Sequence, residues 1–241
     1  MLCFARRPNF LAGSGSNLGT NTAASLAFLR EAIAEHGIQT VVDVPCGDVN
    51  FQTTTWEMDS LRAYVGLDII PRLIALNSAR LGFHSNKIFA SWDAAQCTLP
   101  QLLLSDGEQP QRLPADLVHM RYVLQHLTLD RALQSIINVV ESGAKYLIAT
   151  TYPARRRKGQ STYDNPNIQL GKETHFFTND LDQPPFSLPP PIKCMAQPQA
   201  NDESCLYDLR DPAYPKWLVR AKATKIKGHH RTTRFEVAPT S

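Results

Sequence analysis

The chain predicts an α/β fold: a doubly wound, mostly parallel seven-stranded sheet with helices on both faces and a terminal antiparallel hairpin. Three observations predict it. Short β-branched apolar runs alternate with helix-period segments over the first 150 residues. The runs are bounded by proline and glycine, as at Pro45, Gly47 and Pro71. Polar residues, several of them acidic, stand just after the runs, where open parallel sheets place their ligands.

The elements follow in order. Residues 21–36 carry Ala24, Leu26, Leu29, Ala32 and Ile33 at three- and four-residue spacing with Gly37 behind, an amphipathic helix with a glycine stop. Thr40 to Val44 is a buried strand ending in a tight loop. Tyr64 to Ile70 repeats the pattern and passes through Pro71, a good first-turn residue, into a helix bearing Leu73, Ile74, Leu76 and Leu81. Strands are expected at Lys87–Ala90, Asp116–Met120 and Tyr146–Thr150, with a helix from about Asp130 to Glu141 stopped near Gly143. Past Thr151 lie 11 of the 17 prolines, a density that forbids a central strand. There Phe176, Phe177, Leu181, Phe186 and Leu188 are expected to anchor an extended cover over the sheet. Trp217–Ala223 and Arg234–Val237 are expected as the terminal hairpin. The chain thus divides into a ligand-binding part (12–150), a proline-rich cover (151–214) and terminal strands (215–241), all within one domain of 1–241.

With 241 residues, 43% of them hydrophobic and 20% charged, the chain can bury one full core. No apolar run approaches the roughly 18 to 20 residues of a membrane span. Met1–Asn9 carries Arg6 and Arg7 without a following apolar segment, so no secretory signal is read and a cytoplasmic setting is expected. The five cysteines, Cys3, Cys46, Cys97, Cys194 and Cys205, are scattered and odd in number, which speaks against a disulfide framework and against zinc; no metal is expected. Net charge is +3, but it divides into 11 basic and 13 acidic residues up to residue 150 against 14 and 9 after it. The basic excess, with Arg155-Arg156-Arg157-Lys158 as one run, mildly favours an anionic partner; without aromatic interleaving, nucleic acid is weakly supported and solvated surface is the simpler reading.

The residues after the strands carry the chemistry. Asp43-Val44-Pro45-Cys46-Gly47-Asp48 follows the first strand, Gly66-Leu67-Asp68-Ile69 the second and Ser91-Trp92-Asp93 the third. Asp68 lies 21 residues beyond Gly47, the spacing at which a carboxylate on a second strand meets a ribose held over the first loop. The alternative for Asp68 is a helix N-cap, for Asp93 the start of a helical turn, and for Cys46 simple packing.

This ordered set resembles the class I S-adenosylmethionine-dependent methyltransferases, of Rossmann-like fold. Ser14-Gly15-Ser16-Asn17-Leu18, the Pro45-Cys46-Gly47-Asp48 segment, Val123-Leu124-Gln125-His126-Leu127 and Pro184-Pro185-Phe186 look like a little-described subgroup of them. The resemblance implies S-adenosylmethionine as cofactor and cofactor contacts at Gly15, Asn17, Asp43, Pro45, Cys46, Gly47, Asp48, Asp68, Ile69, Asp93 and Met120, with Asp116 opening the fourth strand. Asp43 either serves the methionyl ammonium or fixes the loop through backbone amides. Catalysis by methyl transfer needs placement more than reacting groups; Arg121, Tyr122 and His126 are the candidates, with His126 as base or orienter because Tyr122 stands where relatives often carry aspartate. Thr150, Thr151 and Tyr152 are candidates for lining the acceptor pocket. The acceptor, small molecule or protein, is not named by these residues. Two rivals stand beside this reading: an inactive cofactor-binding module acting through a partner, and a nicotinamide-dependent dehydrogenase. The dehydrogenase is disfavoured because the loop after Asp43 lacks the second and third glycines of the dinucleotide fingerprint.

Overall fold

A computed structural model describes residues 20–49, 60–82, 86–105, 110–156, 177–198 and 201–224. Nine strands are formed there: β1 (Thr40–Asp43), β2 (Ala63–Asp68), β3 (Lys87–Ser91), β4 (Leu102–Ser105), β5 (Pro110–Leu113), β6 (Leu117–Met120), β7 (Tyr146–Thr151), β8 (Lys193–Ala196) and β9 (Glu203–Asp208). Four α-helices accompany them: α1 (Thr20–His36), α2 (Pro71–Leu81), α3 (Leu129–Glu141) and α4 (Ala213–Ala223).

Seven strands make one sheet in the order β3-β2-β1-β6-β7-β9-β8, while β4 and β5 form a separate antiparallel pair. The first five of the seven run parallel; β9 is antiparallel to β7, and β8 to β9. This is the Rossmann-like, doubly wound architecture that the sequence predicts. The chain steps outward from β1 to β3 and returns to β6 on the other side of β1, so the strand order reverses between β1 and β6 and opens a crevice at their carboxyl ends.

Strand periodicity divides the core between two faces. Val41, Tyr64, Leu117 and Ile148 pack with Phe28, Leu29 and Ala32 of α1 and Ile74 of α2. Their neighbours Val42, Val65, Val118 and Leu147 pack with Leu133 and Ile136 of α3 and with Tyr214 and Trp217 of α4. Helices therefore cover both faces. Leu181, Phe186 and Leu188 of the proline-rich cover are buried in this second core, and the Trp217 indole donates to the Phe186 carbonyl at 2.6 Å.

Several expectations are corrected. Trp217–Ala223 is helical, not extended: Tyr214, Trp217 and Ala221 recur at three and four residues and form the buried face of α4, with Pro215 tolerated in its first turn. The antiparallel pair that closes the sheet is built instead from β8 and β9; the other strand expected for it, 234–237, lies outside the described residues. Finally, Cys194 and Cys205 form a disulfide (S–S 2.02 Å), because the β8–β9 register places them directly opposite each other. Widely spaced cysteines can meet across strands whose pairing sequence spacing does not reveal. The strand β2 also stops two residues earlier than expected, leaving Ile69 and Ile70 exposed beyond it.

Candidate functional site

The loop after β1 is built for close approach. Gly47 has φ +58°, a left-handed conformation that costs a side chain dearly, and Val49 is held at φ +47°. The Gly47 amide donates to Asp68 Oδ2 at 3.1 Å, its carbonyl accepts from Asn77 Nδ2 of α2 at 2.7 Å, and the Cys46 amide donates to the Leu67 carbonyl at 2.8 Å. A Cβ on Gly66 would lie 2.6 Å from the Phe89 ring and 3.1 Å from Cys46 Sγ, so glycine in β2 is what lets Cys46 seat against that strand. Asp48 is buried, and its carbonyl accepts from the Arg80 guanidinium. Pro45 follows a cis peptide bond. Burial, and then the Asp43 and Asp68 charges, push the Cys46 thiol far up, which removes it as a nucleophile.

Asp68 is buried at the carboxyl end of β2, and Oδ1 accepts from the Ile70 amide at 2.9 Å. Burial raises its carboxyl above the ordinary value, against the pull of the Ile70 and Gly47 amides. A carboxylate has about four acceptor positions, so both oxygens keep capacity for further donors. Ile69, 60% exposed, and Ile70, 45% exposed, present an apolar surface beside it. Past β3, the buried Trp92 indole nitrogen has no hydrogen-bond partner among the described residues. Asp93 is more heavily used: it accepts from the Ala95 amide, from Gln96 Nε2 and from Arg131 Nη2, the last at 3.0 and 2.7 Å. The turn over 93–97 that the sequence offered as an alternative for Asp93 is present, since the Gln96 and Cys97 amides donate to its carbonyl.

Asp43 sits deeper than the loop it precedes. Oδ2 accepts from the Tyr64 hydroxyl at 2.6 Å and Oδ1 lies 2.8 Å from His119 Nδ1, with all three residues buried. Both contacts are side chains of the neighbouring strands β2 and β6, not the backbone amides of the loop that the sequence reading offered it. Met120 is fully buried beneath the crevice in the core that faces α3.

The carboxyl ends of β6 and β7 form a second cluster. Arg121 is buried and donates from Nε to Ser25 Oγ of α1 at 3.1 Å, with its guanidinium 4.3 Å from the centre of the Tyr122 ring. The Tyr122 amide donates to Thr150 Oγ1 at 3.2 Å, Thr151 Oγ1 accepts from the Leu181 amide at 3.0 Å, and Tyr152 is buried alongside. His126 stands exposed on the 3-10 turn Leu124–His126. Asp116 opens β6 at the opposite end of the sheet, where its carboxylate takes the Gln39 and Thr40 amides. Gly15 and Asn17 lie outside the described residues.

No family model matches the chain, and no curated protein does. Solved structures do. The N-methyltransferase NodS from Bradyrhizobium japonicum WM9 superposes with a TM-score of 0.52 at 15% identity, over 80% of this chain and 98% of that one. Magnesium protoporphyrin IX methyltransferase from Synechocystis PCC 6803, solved with bound SAH, gives 0.50 at 13% identity over 77% and 82%. Human N-acetylserotonin methyltransferase in complex with SAM gives 0.50 at 13% over 78% and 51%. This chain has the methyltransferase fold.

Within that fold the crevice residues fit a nucleoside bearing an amino acid: a buried acid with spare acceptor capacity, exposed isoleucines beside it, an orphaned indole donor and a strained glycine loop. Sequence reasoning missed Asp202 and Gln197, which the β8–β9 connection brings to the β6 and β7 ends. Asp202 is 1% exposed and lies against Tyr122 and Arg121. The one signal for it was an acid standing before the apolar run Cys205-Leu206-Tyr207, the same pattern read backwards, because β9 is antiparallel.

Proposed function

We propose that the protein is an S-adenosylmethionine-dependent methyltransferase that moves a methyl group to a separate acceptor by in-line displacement. The observation that carries this reading is the contact between Gly47 and Asp68: the ribose-type acid and the glycine loop are one hydrogen-bonded cradle at the switch point of the sheet. Asp68 holds the ribose hydroxyls, Ile69 covers the base, and Trp92 and Asp93 stand at its polar edge. Gly47 and Asp48, with Gly15 and Asn17, receive the methionyl portion, and Asp43 braces the loop from below. When bound, the cofactor supplies a methyl group already activated by the sulfonium, so the chain's own task is to bind, to align the acceptor and to exclude water. Arg121 and Tyr122 stand at the acceptor end; His126, exposed on its turn, is the more remote candidate. A dehydrogenase is not supported, since, counted from Gly47, Val49 and Gln52 stand where a pyrophosphate-binding loop has its second and third glycines.

Calorimetry with S-adenosylhomocysteine and with NAD tests the reading. S-adenosylhomocysteine should bind and NAD should not compete. Asp68→Ala, folded by circular dichroism, should weaken that binding by about 1.5 to 3 kcal/mol through loss of charge-assisted hydrogen bonds. NAD binding in its place, or unchanged affinity in the variant, would sink the assignment.

A further inference from the structure

Tyr122 follows the end of β6 at φ +53°, a conformation that costs a tyrosine strain. What the strain achieves is placement: the ring lies over Arg121, and the hydroxyl reaches the Asp202 carboxylate while its oxygen accepts from the Arg121 guanidinium. Asp202 comes from the other direction. Because β9 runs antiparallel to β7, with Glu203 opposite Thr151, the residue before β9 stands at the carboxyl ends of the parallel strands. Its Oδ2 is buried and has no hydrogen-bond partner among the described residues; nor has the buried Oε1 of Gln197, whose amide donates to the Asp202 carbonyl at 3.1 Å. Gln197 Nε2 is already committed to Ser25 Oγ at 2.7 Å. In these two residues the orphaned atoms are oxygens, so what they lack is a donor; the cluster's other buried atom without a hydrogen bond among the described residues is Arg121 Nη2. Arg121 and Arg156 are the cations facing Asp202.

We propose that Tyr122 and Asp202 form a proton relay for a methyl acceptor that presents an O–H or N–H, with the Tyr122 hydroxyl touching the acceptor and Asp202 as the positioning acid behind it. The reaction rests on the methyl-transfer reading; the donor-selective subsite rests on the orphaned oxygens and the strained turn. In the step, the acceptor atom forms a bond to the methyl carbon while the carbon–sulfur bond of the sulfonium donor breaks and its electron pair stays on sulfur. The acceptor proton passes to the Tyr122 oxygen as the phenolic proton passes to the Asp202 carboxylate, which later releases it to water. Burial and the Asp202 charge push the Tyr122 phenol up to about 12, so at neutral pH it hands on a proton rather than serving as a standing phenolate. Carboxylate or phosphate acceptors are disfavoured, because they would face Asp202 across the phenol.

The test compares the full chain with Tyr122→Phe and Asp202→Asn, each with and without S-adenosylhomocysteine. Phenol, benzylamine and benzoate serve as probes in ligand-observed saturation-transfer NMR. Phenol or benzylamine should bind the wild type, with affinity about tenfold or more weaker in each variant; benzoate should not bind the wild type. Donor probes binding all three proteins equally, benzoate binding the wild type as well as phenol, or no probe binding it overturns the proposal. Thermal unfolding separates a structural role: Asp202→Asn keeps the side chain's size but removes a charge that faces the buried Arg121, so a modestly lowered midpoint with S-adenosylhomocysteine binding kept is the expected outcome. A lowered midpoint with lost S-adenosylhomocysteine binding means Asp202 only holds the fold, and overturns it too. If the wild type does not bind S-adenosylhomocysteine, the methyl-transfer reading fails, and the probe comparison still decides the subsite.

Discussion

Asp43 shows how one residue joins fold to site. A carboxylate that is 1% exposed needs donors, and it has the Tyr64 hydroxyl from β2 and His119 from β6, the strands on either side of its own. The network thus spans the three strands that meet at the crevice and sets the height at which the loop over 44–49 leaves β1. Burial first, and then the Asp43 charge, hold the Tyr64 hydroxyl protonated, so it donates at every ordinary pH. Tyr64→Phe keeps the ring packed and removes only that donor. It should destabilise the protein by about 1 to 3 kcal/mol, the cost of leaving a buried charged acceptor underpaired, measured as a shift in urea unfolding. An unchanged midpoint would mean that Asp43 is satisfied without Tyr64 and that the network braces nothing.

At the scale of elements, the parallel part of the sheet was legible and its antiparallel edge was not, for physical reasons. Strands β1, β2, β6 and β7 are buried on both faces and read as apolar runs punctuated by proline and glycine, a signal local in sequence. The acids at their ends were legible because strand ends locate a ligand crevice, and Asp68 lies against Gly47 there. Strand β9 and the edge strand β8 sit among prolines and are specified by their pairing, β9 with β7 and β8 with β9, which is not local. Asp202 was invisible for that reason, while His126 was legible as a motif residue yet stands exposed. The disulfide belongs to this edge: Cys194–Cys205 closes a loop that contains Gln197 and Asp202, over a sequence separation of 11. In the chain-entropy account, closing a loop of that size contributes about 2 to 3 kcal/mol. Thiol titration in denaturant should therefore find two fewer thiols without reductant than with it, and reduction should lower the unfolding midpoint. Equal thiol counts would remove the bond and agree with the cytosolic expectation, since cytosolic thiols are kept reduced.

At the scale of the molecule, the two ends of the sheet are electrostatically unlike. At the amino end, Asp116 takes the Gln39 and Thr40 amides and the Thr40 hydroxyl, each at 3.0 Å, and pairs with Lys145 Nζ at 2.7 Å, tying the starts of β1, β6 and β7. Burial alone would raise its carboxyl, but Lys145 and these donors outweigh it and hold it below the ordinary value. At the carboxyl end, Asp68 and Asp202 are both raised, with burial the largest cause. That is the pattern expected of a stabilising end opposite the proposed site, where charge is kept buried at some cost. The signs follow from linkage. A lowered carboxyl contributes stability that is fully present above its unfolded value and is lost as pH falls through the folded value; a raised one works against the fold at neutral pH, and that burden lifts on acidification. Asp116→Asn should thus be less stable than the wild type by about 1 to 2 kcal/mol at neutral pH, Lys145 being half exposed and its share screened. The gap should narrow as pH falls through the lowered wild-type value, where the carboxyl is itself protonated. Thermal unfolding of both proteins across that range measures it. A gap independent of pH would show that the amide contacts alone tie the amino end together and that the charge of Asp116 adds nothing.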